Sequence, residues 1–364
     1  MSIEKRYILS GGGTGGHIFP AIAIADELKK RDPSCKILFV GAQDRMEMEK
    51  VPAAGYEIKG LWISGLQRSL KPKNLLFPIK LLCSIWKSKK IIRQFQPNAV
   101  IGTGGYASAA VLYAATGKGI PTLIQEQNNY AGLTNKWLSK KVNKICVSYD
   151  RMERFFPLEK LIKTGNPVRN QFLEVKQKSA QEKAKKSYGI NANEKSVLVV
   201  GGSLGARSIN HAIAHDYKKL EDAGIHLVWQ TGKLFIEESA KLKSEFIKPE
   251  TFISNMKEAY EMADVVISRA GAIAISEICI MGKPSVLIPL STAAEDHQTK
   301  NAMALVNNDA AILVQDNEVK SLLIDTVITL LNDQEKQDQM TKNVSEMGLP
   351  NATIEIVNEI EKLI

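Results

Sequence analysis

The feature that most limits what this chain can fold into occurs twice. Tyr7-Ile8-Leu9-Ser10 runs into Gly11-Gly12-Gly13-Thr14-Gly15-Gly16 and then an apolar helix from Pro20. Val197-Leu198-Val199-Val200 runs into Gly201-Gly202-Ser203-Leu204-Gly205-Ala206 and then a helix from Ser208. An apolar strand, a glycine turn and a helix open an α/β domain that seats phosphate at the helix N-terminus. Two such openings in 364 residues, enough chain for two cores, predict two domains. Further strand-like runs at Lys36–Val40, Ala99–Gly102, Pro121–Gln125, Lys144–Ser148, His226–Gln230, Asp264–Ser268 and Ser285–Pro289 alternate with helical patterns, as parallel sheets with crossover helices require. Gly165-Asn166-Pro167 marks a turn between the halves, followed by a polar, Lys-rich helical stretch over Gln171–Tyr188. Val319–Leu331 and Ile354–Ile364 also read as helices. The expected division is 1–166, 167–345 and a terminal helix in 346–364 that packs back onto the first domain.

Charge is uneven along the chain. The net charge is +9, yet from Ile58 to Gln125 there is no Asp or Glu and there are ten Lys and Arg residues, so this region holds the whole excess. A local basic field of that kind suits an anionic partner, either nucleic acid or an acidic membrane leaflet. Leu75, Ile79, Leu82 and Trp86 fall on one helical stripe, with Lys73, Lys80 and Lys87 opposite. Phe77, Leu81 and Ile85 are left as an apolar flank beside the lysines. A crossover helix with a solvated face explains the stripe; the flank and the acid-free run favour a membrane-surface patch of Leu75, Phe77, Ile79, Lys80, Leu81, Ile85, Trp86 and Lys87. No run of about 18 apolar residues is present, and the first ten residues read into a strand without a signal-peptide pattern. The four scattered cysteines form neither a zinc motif nor a disulfide framework.

The chemistry is carried by strand ends. The first loop offers backbone amides and a helix start to an anion, or serves only as a tight turn. His17 follows it at a position that favours a neutral, proton-accepting ring; alternatively it only orients the loop. A second glycine cluster, Gly102-Thr103-Gly104-Gly105-Tyr106, ends another strand of the same sheet, so the two turns together could cradle a pyrophosphate. Gln125-Glu126-Gln127-Asn128 supplies donors and acceptors suited to sugar hydroxyls, or is simply loop polarity. In the second half, Ser268-Arg269-Ala270-Gly271-Ala272 opens a helix that carries Glu277, and Glu295-Asp296-His297-Gln298 precedes another. Capping accounts for the acids there but not for Gln298. Neither Asp-x-Asp nor a Gly-x-x-x-x-Gly-Lys-Ser/Thr loop occurs, which argues against a metal-bridged diphosphate and against an ATPase.

Taken in order, Gly12 to Pro20, Gly102 to Tyr106, Gln125 to Asn128, Leu133-Thr134-Asn135, Gly165-Asn166-Pro167-Val168-Arg169, Gly201-Gly202-Ser203, Ser268 to Ala272 and Asp296-His297-Gln298 give a chain that resembles the MurG family of bacterial N-acetylglucosaminyltransferases over nearly its whole length. The resemblance implies an α/β GT-B fold, two Rossmann-like domains facing each other across a cleft that closes on its substrates. It implies inverting, metal-independent transfer of N-acetylglucosamine from UDP-N-acetylglucosamine to the muramoyl 4-hydroxyl of lipid I, undecaprenyl-pyrophosphoryl-muramoyl-pentapeptide, giving lipid II. No cofactor and no metal site are expected. Donor contacts carry over to Thr14, Gly15, Gly16, Asn128, Arg169, Ser203, Ile253, Ala272, Ile273, Ala274, Ile275, Ser276, Glu277 and Gln298. Glu277 would hold the ribose, Gln298 the sugar, and Ser203 with Arg169 the phosphates. Acceptor contacts fall on Gly12, Gly13, Gly104, Gly105, Tyr106 and Asn135. His17 is the first choice of base and Glu126 the second. Leu204 departs from the Gln common in the family. The expected location is peripheral, on the cytoplasmic face of the cell membrane, with an anionic membrane surface as partner.

Three other readings compete. Another GT-B enzyme making a glycolipid would differ mainly at Gln298 and Asn128. A nucleic-acid binder would interleave aromatics with the basic residues, for which Phe77 and Trp86 are thin support. A NAD oxidoreductase lacks its acidic residue, since Val40 leads to Gly41-Ala42-Gln43.

Overall fold

Strands read as unbroken apolar runs when both sheet faces are covered, and the computed structural model places them so. It describes residues 4–65, 76–173, 179–202 and 204–364. The chain divides into two units, Met1–Arg169 with Pro350–Ile364, and Asn170–Leu349; the sequence put the breaks a few residues earlier, after 166 and 345.

The first unit runs β1 (Arg6–Gly11), α1 (Gly15–Arg31), β2 (Lys36–Ala42), α2 (Glu47–Ala53), β3 (Glu57–Leu61), α3 (Phe77–Phe95), β4 (Ala99–Gly104), α4 (Tyr106–Thr116), β5 (Thr122–Glu126), α5 (Leu133–Leu138), β6 (Lys144–Val147) and β7 (Leu161–Lys163). Its strands are parallel in the order β3-β2-β1-β4-β5-β6-β7, with Ile8 opposite Leu38 and Val100. Ile8, Leu38, Val100 and Ile124 pack to one side with α4 residues such as Val111 and Leu112. Tyr7, Leu9, Phe39 and Ile101 pack to the other with Ile18, Ile24 and Leu28 of α1.

The second unit runs α6 (Ala180–Ser187), β8 (Lys195–Val200), α7 (Arg207–Asp222), β9 (Ile225–Gln230), α8 (Ile236–Ser239), β10 (Ile247–Glu250), α9 (Met256–Met262), β11 (Val265–Arg269), α10 (Ala272–Met281), β12 (Ser285–Ile288), α11 (His297–Val306), β13 (Ile312–Leu313), α12 (Val319–Asn332) and α13 (Gln334–Glu346). Its parallel order is β10-β9-β8-β11-β12-β13. The stretch expected to be helical from Gln171 instead begins as a 3-10 turn, Asn170–Leu173, before α6. Tertiary packing decides this: the buried Phe172 ring meets Tyr260 edge-on, with centroids 5.7 Å apart.

In each sheet the strand order reverses direction once, between β1 and β4 and between β8 and β11. Ligands of such sheets bind outside the strand C-termini at that point, and the glycine turns follow these four strands. The last helix, α14 (Ala352–Glu361), returns to the first unit. Ile356, Val357 and Ile360 join the cluster of Ile18, Ile24 and Leu28. Arg31, at the end of α1, donates to Asn358 and Glu361, each at 2.8 Å, and to the Ile354 carbonyl at 3.1 Å.

Candidate active site

In the first unit the two glycine turns are bonded to each other. The Gly12 N–H donates to the Gly104 carbonyl at 3.3 Å, and the Thr103 hydroxyl donates to the His17 carbonyl at 2.7 Å. Two of the glycines are required by space as well as by conformation. Gly104 has φ +108° and Gly105 φ +89°. A Cβ on Gly104 would stand 2.9 Å from His17 Nε2, and one on Gly105 2.5 Å from the Gly12 carbonyl oxygen. His17 is half-buried, with Nδ1 3.0 Å from the Gly12 carbonyl oxygen. A carbonyl only accepts, so Nδ1 carries the proton and Nε2 of the neutral ring is left to accept one.

A residue that the sequence did not single out lies beneath this loop. Glu47, at the start of α2, is fully buried. Its Oε2 accepts from the Gly13 N–H at 3.1 Å and its Oε1 from the Ala42 N–H at 3.0 Å. This corrects the expectation that Gly12 and Gly13 offer amides to the acceptor pyrophosphate, since both N–H groups are committed internally. Open donors remain instead in the first turns of α1 and α4, at Gly15, Gly16 and the exposed Tyr106, where helix N–H groups have no intrahelical partner. Neither turn contains an acidic residue that would oppose an anion. Thr14 takes the N-cap position of α1.

Glu126 ends β5, buried, with both oxygens occupied. Oε1 accepts from the Asn128 backbone at 3.0 Å and its side chain at 3.3 Å; Oε2 accepts from the Gly132 N–H and from Asn135 Nδ2, each at 2.9 Å. Such a carboxylate shapes the loop from 128 to 135, with a donor on each of its oxygens. Asn135 is buried as part of this arrangement. Asn166 is tied in as well, accepting from Gln125 Nε2 at 2.9 Å and donating to the Gln127 carbonyl at 3.0 Å. Arg169 is the last residue of the unit before the chain crosses to the second.

In the second unit a cavity of about 680 Å³ opens where β8 and β11 end, lined by Gly201, Gly202, Ser268, Gly271, Ala274 and Gln298, among others. Its volume lies within the range of small-molecule sites. Gly202 (φ +82°) and Gly205 (φ +78°) shape the loop. Gln230, a second residue not singled out from the sequence, organises it: Nε2 donates to the Gly202 carbonyl and Oε1 accepts from the Ile253 N–H, both at 3.0 Å. Ile253 is thereby tied through its backbone to the Gly202 turn by way of Gln230. Ala272, Ile273, Ala274, Ser276 and Glu277 lie along α10, with Glu277 mostly buried. Ile275 is turned into the core, and the Ser276 hydroxyl donates back to the Ala272 carbonyl at 3.0 Å. Gln298 accepts from the Leu290 N–H at 2.9 Å through Oε1, which leaves Nε2 to donate. Asp296, at φ +53°, is the N-cap residue of α11 and accepts from the Thr299 hydroxyl at 2.6 Å. Ser203 lies outside the described residues.

The cavity's charges partly cancel. Arg269 donates to Asp316 at 2.6 Å and to the Ser208 hydroxyl at 2.7 Å. Burial acts to raise Asp316, but the Ser208 hydroxyl and the Arg269 guanidinium outweigh it and hold its carboxyl below the usual carboxylate range. Arg207, which also lines the cavity, donates to His211 at 3.4 Å. Among the described residues, no group of three or more His, Cys, Asp or Glu is arranged to hold a metal ion.

Helix α3 reverses the expected faces of the basic segment. Leu81 and Ile85 pack against the core, whereas Ile79, Leu82 and Trp86 face outward, Trp86 at 69% exposure. Lys80 lies over the Trp62 ring and donates to the Ser64 hydroxyl at 3.1 Å; Lys87 donates to the Gly60 carbonyl at 2.7 Å. Phe77 is half-buried, and Leu75 lies outside the described residues. The lysines fold back because carbonyl and ring partners on β3 and the loop after it lie within reach of α3. No described helix is long and apolar enough to cross a membrane.

Known proteins align along the chain's whole length. Residues 7–147 match the glycosyltransferase family 28 N-terminal domain and residues 196–356 the family's C-terminal domain. A Christiangramia forsetii protein named UDP-N-acetylglucosamine--N-acetylmuramyl-(pentapeptide) pyrophosphoryl-undecaprenol N-acetylglucosamine transferase is 54% identical, covering 100% of this chain and 99% of its own. A Flavobacterium psychrophilum protein of the same name is 53% identical over 99% of this chain and 98% of its own. Among solved structures, MurG of Acinetobacter baumannii superposes with a TM-score of 0.79 at 29% identity, covering 98% of this chain and 99% of that one. The two parallel α/β units are thus those of the GT-B fold, and the chain belongs to glycosyltransferase family 28.

Proposed function

We propose that this protein transfers N-acetylglucosamine from UDP-N-acetylglucosamine to the muramoyl 4-hydroxyl of lipid I, releasing UDP and forming lipid II. The observation that carries this reading is full-length identity of 54% to a relative bearing that activity in its name. The geometry supports it on both sides of the reaction. In the first unit, the open N-termini of α1 and α4 suit the acceptor's pyrophosphate, and Nε2 of His17 is free to take the hydroxyl proton as oxygen attacks the anomeric carbon opposite UDP. In the second, the cavity over Gly201 and Gly202 suits the donor, with Gln298 Nε2 available to a sugar hydroxyl and Glu277 assigned to the ribose. Charge on the departing diphosphate falls to helix N-termini and Arg169.

The protein works on a lipid-linked acceptor, and we assign Ile79, Leu82 and Trp86, with the exposed Lys89 and Lys90 beside them, to contact with an anionic membrane at its cytoplasmic face. The test of function is radiolabel transfer to lipid I from UDP-N-acetylglucosamine and from UDP-glucose, with EDTA present. Transfer confined to the first donor is expected. Equal use of UDP-glucose, or silence until a divalent ion is restored, would refute the assignment.

A further inference from the structure

We infer that Glu47 is a positioning residue for proton transfer: through the one peptide unit joining Gly12 to Gly13 it holds His17 in the tautomer protonated on Nδ1, with Nε2 open to the acceptor hydroxyl. The inference rests on the reading of His17 as the base. The Gly12 carbonyl and the Gly13 N–H belong to the same planar amide, and in a trans amide they point in opposite directions. On one side the Gly13 N–H donates to Glu47 Oε2 at 3.1 Å; on the other the Gly12 carbonyl accepts from His17 Nδ1 at 3.0 Å. Carboxylate, amide and imidazole thus form a single hydrogen-bonded chain. A negative charge at its N–H end polarises the amide and strengthens the carbonyl as an acceptor, and that favours the Nδ1–H form.

Two further facts separate this from a chance contact. Glu47 is fully buried and met by two backbone N–H groups, one from the loop after β1 and one from the end of β2, the pairing that a buried carboxylate requires. Room has also been made for it. A Cβ on Gly12 would stand 2.8 Å from the Glu47 carboxyl carbon, and one on Gly41 2.6 Å from its Cγ. Glycine at 12 therefore seats the glutamate, as distinct from opening the loop to an anion.

The test uses the full chain and two readouts. Long-range nitrogen NMR of the His17 ring, without substrates, reports the tautomer; the five histidines are told apart with His17→Gln. Transfer kinetics report kcat and KM for UDP-N-acetylglucosamine. We expect the Nδ1–H form in the wild type. In Glu47→Gln, which keeps the shape but loses the charge and one acceptor, we expect the Nε2–H form to enter, kcat to fall at least about tenfold, and KM to stay within about twofold. Glu47→Asp, which retracts the carboxylate, serves in its place if the first variant does not fold, with the same outcomes expected. A wild-type ring protonated on Nε2 overturns the inference. So does a folded variant that keeps either the wild-type tautomer or the wild-type kcat. Absence of transfer by the wild type would instead defeat the functional reading, because the ring spectrum needs no turnover.

Discussion

The two glycine loops begin alike, each after a central parallel strand and each ahead of a long helix, and they part company in what sits beneath them. Under the first lies a carboxylate, Glu47, which draws an amide N–H inward. Under the second lies a carboxamide, Gln230, which draws a carbonyl inward. Both come from the chain at or just after the neighbouring strand, β2 in one case and β9 in the other. The first arrangement turns a peptide carbonyl toward the Nδ1 atom of a histidine. The second keeps the loop uncharged beside a roomy cavity whose Arg269 and Asp316 largely neutralise each other. A shared supersecondary unit thus has its loop held in two different ways, by one buried side chain each.

Three substitutions probe this contrast, in descending order of effect. Removing the proposed base, His17→Ala, should lower kcat by about 10²- to 10⁴-fold while leaving the affinity for UDP unchanged. A calorimetric titration showing UDP binding lost along with turnover would mean that the loops are not chemically separate. Converting the second support into the first, Gln230→Glu, sets a carboxylate against the Gly202 carbonyl and removes its donor. UDP should bind more weakly by about 5- to 150-fold, the range for an unsatisfied buried group, with the His17 ring unaltered. Unchanged UDP affinity would show that Gln230 does not govern the loop. The mildest change, Asp316→Asn, tests the charge balance of the cavity and should cost about 0.5–1.5 kcal/mol of stability at neutral pH. Its pH dependence has a definite sign. The carboxyl's folded-state value lies below 3.8, so its stabilisation is complete above that value and is lost as pH falls through the lower one. Denaturant midpoints of wild type and variant should therefore differ at pH 7 and converge in strong acid. A constant gap across that range would remove the ion pair from the account.

Much of this was legible in the sequence because central parallel strands are apolar on both faces. β1, β2, β4, β5, β6, β8, β9, β11 and β12 announce themselves in that way. The strands that the sequence hid are β3, β7, β10 and β13, and these are the outermost strands in both sheets among the described residues. Each is short or half-exposed, and β10 carries Pro249, which an edge tolerates because its missing N–H would have faced no partner there. Glu47 and Gln230 were hidden for a related reason. Their roles depend on backbone groups more than 20 residues away, Gly13 for Glu47 and Gly202 and Ile253 for Gln230, and neither position departs from what a helix start or a strand end ordinarily contains. On α3 the apolar spacing fitted two rotations of the helix, and only the packing of Leu81 and Ile85 chose between them.

The return of α14 to the first unit has a consequence for biosynthesis. When the first 169 residues emerge from the ribosome, α1 can pack on the sheet through Ile18, Ile24 and Leu28 but lacks the cover of Ile356, Val357 and Ile360 until residues 350–364 are translated. The nascent domain must wait through the whole of its companion with a sticky helix exposed, a stage at which chaperones bind and aggregation starts. Expression of the first unit alone should therefore call for the terminal segment to be grafted on or supplied in trans.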